Sequence, residues 1–200
     1  MDDPERLDRP SPNSTRPQGT ETRPSHDPPD PGTVPLDAAD TLDSGVAGLT
    51  HVNAAGAARM VDVTGKEASV RVAVATGTVR TTAEVVSLLR SNGLKKGDAL
   101  ATARIAGIMG AKRTPDLVPL CHPIAISGVT VEFALGTEHV DITATTKTTD
   151  RTGVEMEALT AVAVCGLTLH DMIKAVDPRA VLDAVRVEHK DGGKSGVWDR

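Results

Sequence analysis

Residues 151–176 read RTGVEMEALTAVAVCGLTLHDMIKAV, and this apolar stretch decides the fold. Between Glu157 and His170 only two threonines are polar. A helix that is apolar on nearly all sides is buried on nearly all sides. We therefore predict a helix with one side on a sheet and, in a domain this small, the other side against a second subunit. Its apolar stripe steps by three and four positions through Leu159, Val162, Gly166, Leu169, Ile173 and Val176.

Both ends of this predicted helix carry ionisable side chains. Glu155 and Glu157 lie at its start, where the helix dipole favours acids without any function. Asp171 is an acid at the opposite, unfavourable end, and Lys174, three positions on, is the obvious partner. Glu157 and Asp171 would be about 21 Å apart along a continuous helix. If both serve one small ligand, either the helix begins later or two subunits each contribute one end.

The flanking segments predict an α+β domain. Val70, Val72 and Val74 alternate with smaller or charged neighbours, which indicates a strand with one covered face. Thr81 and Glu84 form a capping-box pattern, and Asp98 can cap a second helix. The order of elements favours an antiparallel sheet covered on one face by helices. The predicted elements are strands at 58–63 and 68–77, helices at 83–91 and 99–112, an extended proline-stiffened loop at 113–123, a hairpin of strands at 128–135 and 139–147, the long helix, and a strand at 184–190.

The first 45 residues differ in composition from the rest. They hold 9 of the 13 prolines and carry a net charge of −6, which leaves +1 for residues 46–200 of a chain whose total is −5. Such a segment cannot bury enough apolar surface to offset its ordering entropy. We predict a disordered acidic tail at 1–45, with partner binding as the alternative, and a folded domain at 46–200.

Composition also excludes several classes of function. The near-neutral domain argues against nonspecific nucleic-acid binding, and one Phe, one Trp and no Tyr leave few side chains for base stacking. No segment approaches the roughly 20 apolar residues of a membrane span, and the acidic N-terminus lacks a secretory signal. With only two cysteines, a reducing, cytoplasmic setting is expected.

A few further groups are candidates for binding or chemistry. His122 follows Cys121 in the proline-stiffened loop, where a scaffold can present reactive side chains, although a structural histidine is the commoner meaning. Adjacent Cys and His are poor support for zinc, because neighbours point apart and no second ligand pair has suitable spacing. Lys194 lies in a glycine-rich arm that does not match a phosphate-binding P-loop, and Lys96 precedes a predicted helix start. Either lysine could meet an anion.

Five stretches together resemble the cyclic pyranopterin monophosphate synthase family (molybdenum cofactor biosynthesis protein C). They are LTHVNAAGAARMVDV (49–63), KGDALATARIAGIMGAKRTPDLVPLCHP (96–123), RTGVEMEALTA (151–161), HDMIKAVD (170–177) and GGKSG (192–196). The resemblance implies a ferredoxin-like α+β subunit in a cytoplasmic homohexamer, a trimer of dimers with active sites at the dimer interfaces. It implies conversion of 3′,8-cyclo-7,8-dihydro-GTP, supplied by a radical enzyme, into cyclic pyranopterin monophosphate with release of diphosphate.

The same resemblance assigns roles to individual residues. It implies Asp171 as the catalytic acid/base, with Lys174 and Lys96 beside it. No dedicated metal site or required cofactor is expected, although Mg²⁺ can accompany the substrate phosphates. The alternative function is a non-catalytic nucleotide-binding module on the same fold. The implied substrate contacts are Leu120, Cys121, His122, Glu155, Met156, Glu157 and Lys194.

Overall fold

The protein is described by a computed structural model over residues 57–194 and 196–200. The predicted tail at 1–45 lies outside these residues. In chain order, the described elements are β1 (Ser69–Arg80), α1 (Ala83–Arg90), α2 (Ala99–Ala111), α3 (Thr114–Leu117), β2 (Ile126–Leu135), β3 (His139–Asp150), α4 (Glu155–Ile173), β4 (Val181–Asp191) and β5 (Trp198–Asp199).

The strands form one antiparallel sheet in the order β2-β3-β1-β4-β5 within the described part of the chain. Helices α1 to α3 connect β1 to β2, and α4 connects β3 to β4. The first four strands therefore form two successive strand-helix-strand units. This is the ferredoxin-like arrangement, with β1 and β3 at the centre. The predicted α+β class and antiparallel sheet are confirmed.

Helices cover one face of the sheet, and small residues let them approach closely. Ala73, Ala75 and Val79 of β1 are buried on that face. An added Cβ at Gly77 would lie 2.6 Å from Val162 Cγ1 of α4, so a larger residue there would push the helix away. The predicted strand is confirmed. Its closely packed face, however, is the one that carries Ala73 and Ala75, and not the one that carries Val70, which is 64% exposed.

Helix α4 is the core helix of the described domain. It contacts β1, β3 and β4 on one side and α2 on another. The Cys165 thiol donates to the Ala103 carbonyl of α2 at 3.1 Å, deep in this contact. The second side of α4 is thus largely covered by α2, whereas a second subunit was predicted. Among the described helices α4 alone is long and apolar enough to cross a membrane, a test that buried core helices also pass.

Helix boundaries follow the capping residues. The Asp98 carboxylate accepts from Ala101 N–H, as predicted, and begins α2. The cap of α1 is Thr82 rather than Thr81, because the Thr82 hydroxyl accepts from Val85 N–H. Thr81 instead donates to the buried Asp177 carboxylate at 2.9 Å. Its side chain ties the start of α1 to the turn after α4.

Two predicted elements need correction, and one observed strand was not predicted. The segment 58–63 is not a strand, since only Ala58 forms a single bridge. The loop at 113–123 begins with α3, because Pro115 suits the first turn of a helix, where no N–H is required. β5 was not predicted, since two residues of strand leave no periodic signal.

Candidate active site

Asp171 lies at the C-terminal end of α4 between two lysines. Its carboxylate contacts Lys174 Nζ at 2.7 Å and Lys96 Nζ at 2.9 Å. Lys96 Nζ also donates to the Asp171 backbone carbonyl at 2.6 Å. The structure therefore brings together three residues that sequence reasoning treated as a catalytic group. We call them the Asp171 triad.

The triad keeps Asp171 ionised. Hydrogen bonds from Lys174 and then Lys96, together with their charges, lower the pKa of this carboxyl to about 2. The two cations also offset the unfavourable position of an acid at a helix C-terminus. Both lysines and Asp171 are roughly half exposed, so the group is accessible to a ligand.

At the opposite end of α4, six of the predicted substrate contacts converge. They surround a cleft of about 120 Å³ that we call the carboxylate cleft. The loop after α3 supplies one wall and the first turn of α4 supplies the other. Its lining residues are Leu120, Cys121, His122, Thr152, Gly153, Glu155, Met156 and Glu157.

Glu157 is the buried acid of this cleft. It is only 3% exposed, and burial raises its pKa to about 7, with a further rise from the charge of Glu155. A group that titrates near neutral pH can both donate and accept protons. Burial raises the pKa of the Cys121 thiol, and the negative charge of Glu157 raises it further. The thiol therefore stays protonated, which disfavours it as a nucleophile.

A second, larger cleft of about 320 Å³ adjoins the first, because Thr152, Gly153 and Glu155 line both. Five cationic side chains and only two carboxylates face it, so we call it the basic cleft. Lys194 lies here, as sequence reasoning predicted for an anion contact. The five cations are Lys66, Arg71, Arg151, Lys190 and Lys194.

Four of these cations were missed in the sequence. In the sequence each of them resembles an ordinary surface charge, and only the folded structure brings them together. β1 and β4 pair with Ala73 opposite Lys190, which brings Lys190 beside the Arg71 end of β1. Gly192 and Gly193 then turn with φ of +100° and +78° and pass directly over Arg71, leaving no space for a side chain. The glycines thus allow the arm to close over the guanidinium.

One ion pair links the two clefts. Lys190 Nζ lies 3.4 Å from the Glu155 carboxylate, with both side chains about 30% exposed. Glu155 in turn faces the carboxylate cleft that holds Glu157. The clefts therefore form one continuous site with a cationic and an acidic part. The Asp171 triad is separate, since α4 is unbroken from Glu155 to Ile173 and places Glu157 and Asp171 about 21 Å apart along its axis.

Over 57–194 and 196–200, no three His, Cys, Asp or Glu side chains converge in a way that could hold a metal ion. Cations rather than carboxylates dominate the basic cleft, so the donor set there suits an anionic ligand.

Comparison with known proteins decides the family. The model of the MoaC family matches residues 60–193. This range includes the Asp171 triad and every lining residue of both clefts apart from Lys194 of the basic cleft. The chain belongs to the MoaC family. A cyclic pyranopterin monophosphate synthase from Streptomyces coelicolor is 64% identical over 152 residues, covering 76% of this chain and 89% of the relative.

Two further relatives show similar agreement. Cyclic pyranopterin monophosphate synthase 2 from Mycobacterium tuberculosis is 61% identical over 152 residues, with 76% of this chain and 91% of the relative covered. The synthase from Corynebacterium glutamicum is 60% identical over 150 residues and is covered over 96% of its length. The matched region thus spans nearly the whole of these relatives.

Proposed function

We propose that this chain is a cyclic pyranopterin monophosphate synthase. It converts (8S)-3′,8-cyclo-7,8-dihydroguanosine 5′-triphosphate into cyclic pyranopterin monophosphate and releases diphosphate, in molybdenum cofactor biosynthesis. The relatives named above are cyclic pyranopterin monophosphate synthases by name. The observation that carries the proposal is the joined site, in which a cationic cleft for a polyphosphate shares Glu155 with a cleft that holds a buried acid.

The basic cleft supports a role in binding the triphosphate. Charge-assisted hydrogen bonds from Lys and Arg are the strongest common contacts to phosphate oxygens. Formation of the cyclic phosphate requires a substrate hydroxyl to attack the α-phosphorus while diphosphate leaves. The cations would neutralise the charge that develops on the leaving group. Mg²⁺ would accompany the phosphates rather than occupy a protein site, and we propose no other cofactor.

The acids support the proton transfers of the rearrangement. Opening the imidazole ring and closing a pterin ring requires protons to be both donated and removed. Glu157, with a pKa of about 7, suits a donor, and Asp171, with a pKa of about 2, suits a fixed anion or acceptor. Lys174 and Lys96 would orient Asp171 and shuttle or stabilise charge beside it.

We further propose that the working site is shared between subunits of a homohexamer, a trimer of dimers in the cytoplasm. The ends of α4 are too far apart to hold one small molecule within a subunit. A two-fold partner would bring the Asp171 triad of one subunit to the carboxylate cleft of the other. Apolar side chains left exposed on the helical layer supply contact area, namely Ile105, Met109, Leu117 and Leu167.

The activity is tested directly. Purified protein is incubated with the cyclised dihydro-GTP, and product is measured as pterin fluorescence after oxidation together with released diphosphate. Turnover supports the synthase. Tight binding of the triphosphate without turnover would instead favour the non-catalytic nucleotide-binding module. Repeating the assay with a chelator tests the role of Mg²⁺.

Subunit complementation tests the shared site. Asp171→Asn and Glu157→Gln proteins, each with strongly reduced activity, are unfolded together and refolded as mixed assemblies. If each site takes one group from each subunit, about one site in four regains both wild-type groups by random pairing. No recovery, or a monomer in sedimentation equilibrium, would contradict the shared site. Each variant refolded alone is the control.

A further inference from the structure

The imidazole of His122 is held by the backbone of a segment that precedes the sheet. Its Nε2 lies 2.7 Å from the Val61 carbonyl oxygen. A carbonyl oxygen can only accept a hydrogen bond, so Nε2 must carry the proton. In the neutral ring the lone pair then belongs to Nδ1. His122 lines the carboxylate cleft beside Cys121 and Glu157.

The segment that provides this carbonyl is itself ordered by local hydrogen bonds. The Asp62 carboxylate accepts from Thr64 N–H at 2.8 Å, and Lys66 N–H donates to the Val63 carbonyl at 3.0 Å. Asp62 closes a turn directly after the tethering carbonyl, a frequent use of Asp side chains. We call residues 61–66 the strap.

The strap reaches both parts of the site. At one end the Val61 carbonyl contacts His122 of the carboxylate cleft, and at the other Lys66 lines the basic cleft. Hydrogen bonds from Thr64 lower the pKa of the Asp62 carboxyl, and the nearby His122 ring lowers it further. A short exposed segment would not be expected to touch both clefts unless it helped to shape them.

We propose that the strap is a positioning element of the active site, which fixes His122 in the Nε2–H tautomer so that Nδ1 is the nitrogen that acts on the substrate. Nδ1 accepts a hydrogen bond or a proton in the carboxylate cleft, while Nε2 serves only as a tether. A ring whose orientation and tautomer are fixed by a backbone acceptor needs no reorganisation when substrate arrives. The kinetic part of this inference rests on the proposed function.

The tautomer is measured without any assay of activity. Full-length protein labelled with ¹⁵N-histidine gives long-range ¹H–¹⁵N correlations that separate Nδ1 from Nε2, with His122→Gln used to assign the resonances. In the neutral form of the ring, we expect His122 to carry its proton on Nε2 alone. A proton on Nδ1, or rapid exchange between the two forms, would overturn the proposal even if the protein is an active synthase.

Two amide substitutions separate the tether from the working nitrogen. The amide nitrogen of His122→Gln can replace Nε2–H toward Val61 but offers nothing at Nδ1. His122→Asn places its amide near the position of Nδ1 and loses the tether. We expect kcat to fall about 10²-fold or more in His122→Gln with KM little changed, and to fall less in His122→Asn. The reverse order of kcat would show that Nε2 does the chemistry, against the proposal.

The strap itself is tested at Asp62. Asp62→Asn keeps an oxygen that can accept from Thr64 N–H, whereas Asp62→Ala removes it. We expect His122 to stay in the Nε2–H form in Asp62→Asn and to become a mixture in Asp62→Ala, with kcat higher in the former. Equal tautomer populations in both folded variants, verified by equal thermal unfolding, would show that the turn does not position the ring.

Discussion

The two ends of α4 carry the same functional group in opposite states. Glu157 in the first turn is 3% exposed and its pKa is raised to about 7 by burial. Asp171 in the last turn is about half exposed and its pKa is lowered to about 2 by two lysines. One carboxyl is therefore partly protonated at neutral pH, and the other is fully ionised.

Environment rather than residue type produces this difference. The carboxylate cleft withdraws water from Glu157 and gives it an acidic neighbour in Glu155, while the Asp171 triad supplies cations. Two carboxyls with pKa values pushed apart are the usual arrangement for separate acid and base roles. Since they share a helix, the separation in space is also fixed. On our proposal of a shared site, a second subunit brings the two acids to the same substrate.

The strongest test of the C-terminal end is Asp171→Asn. The amide keeps the shape but loses the negative charge and one of the two oxygens that contact the lysines, and it cannot accept a proton. We expect kcat to fall about 10³-fold with the assembly intact in sedimentation measurements. Asp183→Asn is the matched control, because Asp183 is also exposed and paired with a cation, Arg80, yet lines neither cleft. Full activity in Asp171→Asn would remove Asp171 from the reaction.

At the N-terminal end, Glu157→Gln should lower kcat about 10²-fold and alter the pH dependence of stability. The pKa of Glu157 is raised in the folded protein, so the folded state binds the proton more tightly than the unfolded state. Stability is therefore lost as pH rises from about 4.5 to about 7.

Glutamine has no proton to lose, so this contribution should vanish in the variant. Unfolding by urea at pH 5 and pH 8 measures it. Between pH 5 and pH 8, the free energy of unfolding of the wild type should fall by up to about 3 kcal/mol more than that of Glu157→Gln. Identical losses in both proteins would mean that Glu157 is not held in its protonated form, and the contrast between the two ends would disappear.

Sequence periodicity predicted the long helix, the hairpin and the α+β order, because apolar repeats and caps such as Asp98 are local signals. It misjudged what depends on contacts between distant segments. The packed face of β1 is formed by Ala73, Ala75 and Gly77, since close approach of α4 matters more there than side-chain size. Likewise α2, rather than a second subunit, covers much of α4.

The site shows the same division. Residues in continuous motifs, such as Leu120 to His122 and Glu155 to Glu157, were predicted together and do share a cleft. The basic cleft was missed except for Lys194, because its cations come from the strap, β1, the turn before α4 and β4. Only the register of β1 with β4 brings Arg71 and Lys190 to one place. A lone cation in a sequence carries no such information.

Lys190→Met tests whether the N-terminal end of α4 works with the basic cleft. Loss of this cation should raise KM for the triphosphate substrate about 10-fold, by removal of one charge-assisted contact, with a smaller change in kcat. Raising the salt concentration should affect the variant less than the wild type. Lys147→Met is the control, since Lys147 is exposed on β3 and lines neither cleft. Equal KM values in the two variants would exclude Lys190 from phosphate binding.

The smallest expected effect links the two ends of α4 most directly. Lys174 lowers the pKa of Asp171 more than Lys96 does, so Lys174→Met should raise that pKa further than Lys96→Met, as measured by ¹³C titration of the carboxyl. Within one subunit, Glu157 lies about 21 Å from the triad, beyond the screening length at 0.15 M salt, and should not respond. In a shared site, however, Lys174 of one subunit faces Glu157 of the other. Removing that cation should then raise the pKa of Glu157 above about 7. A Glu157 titration that is unchanged in Lys174→Met would place the two acids in separate sites.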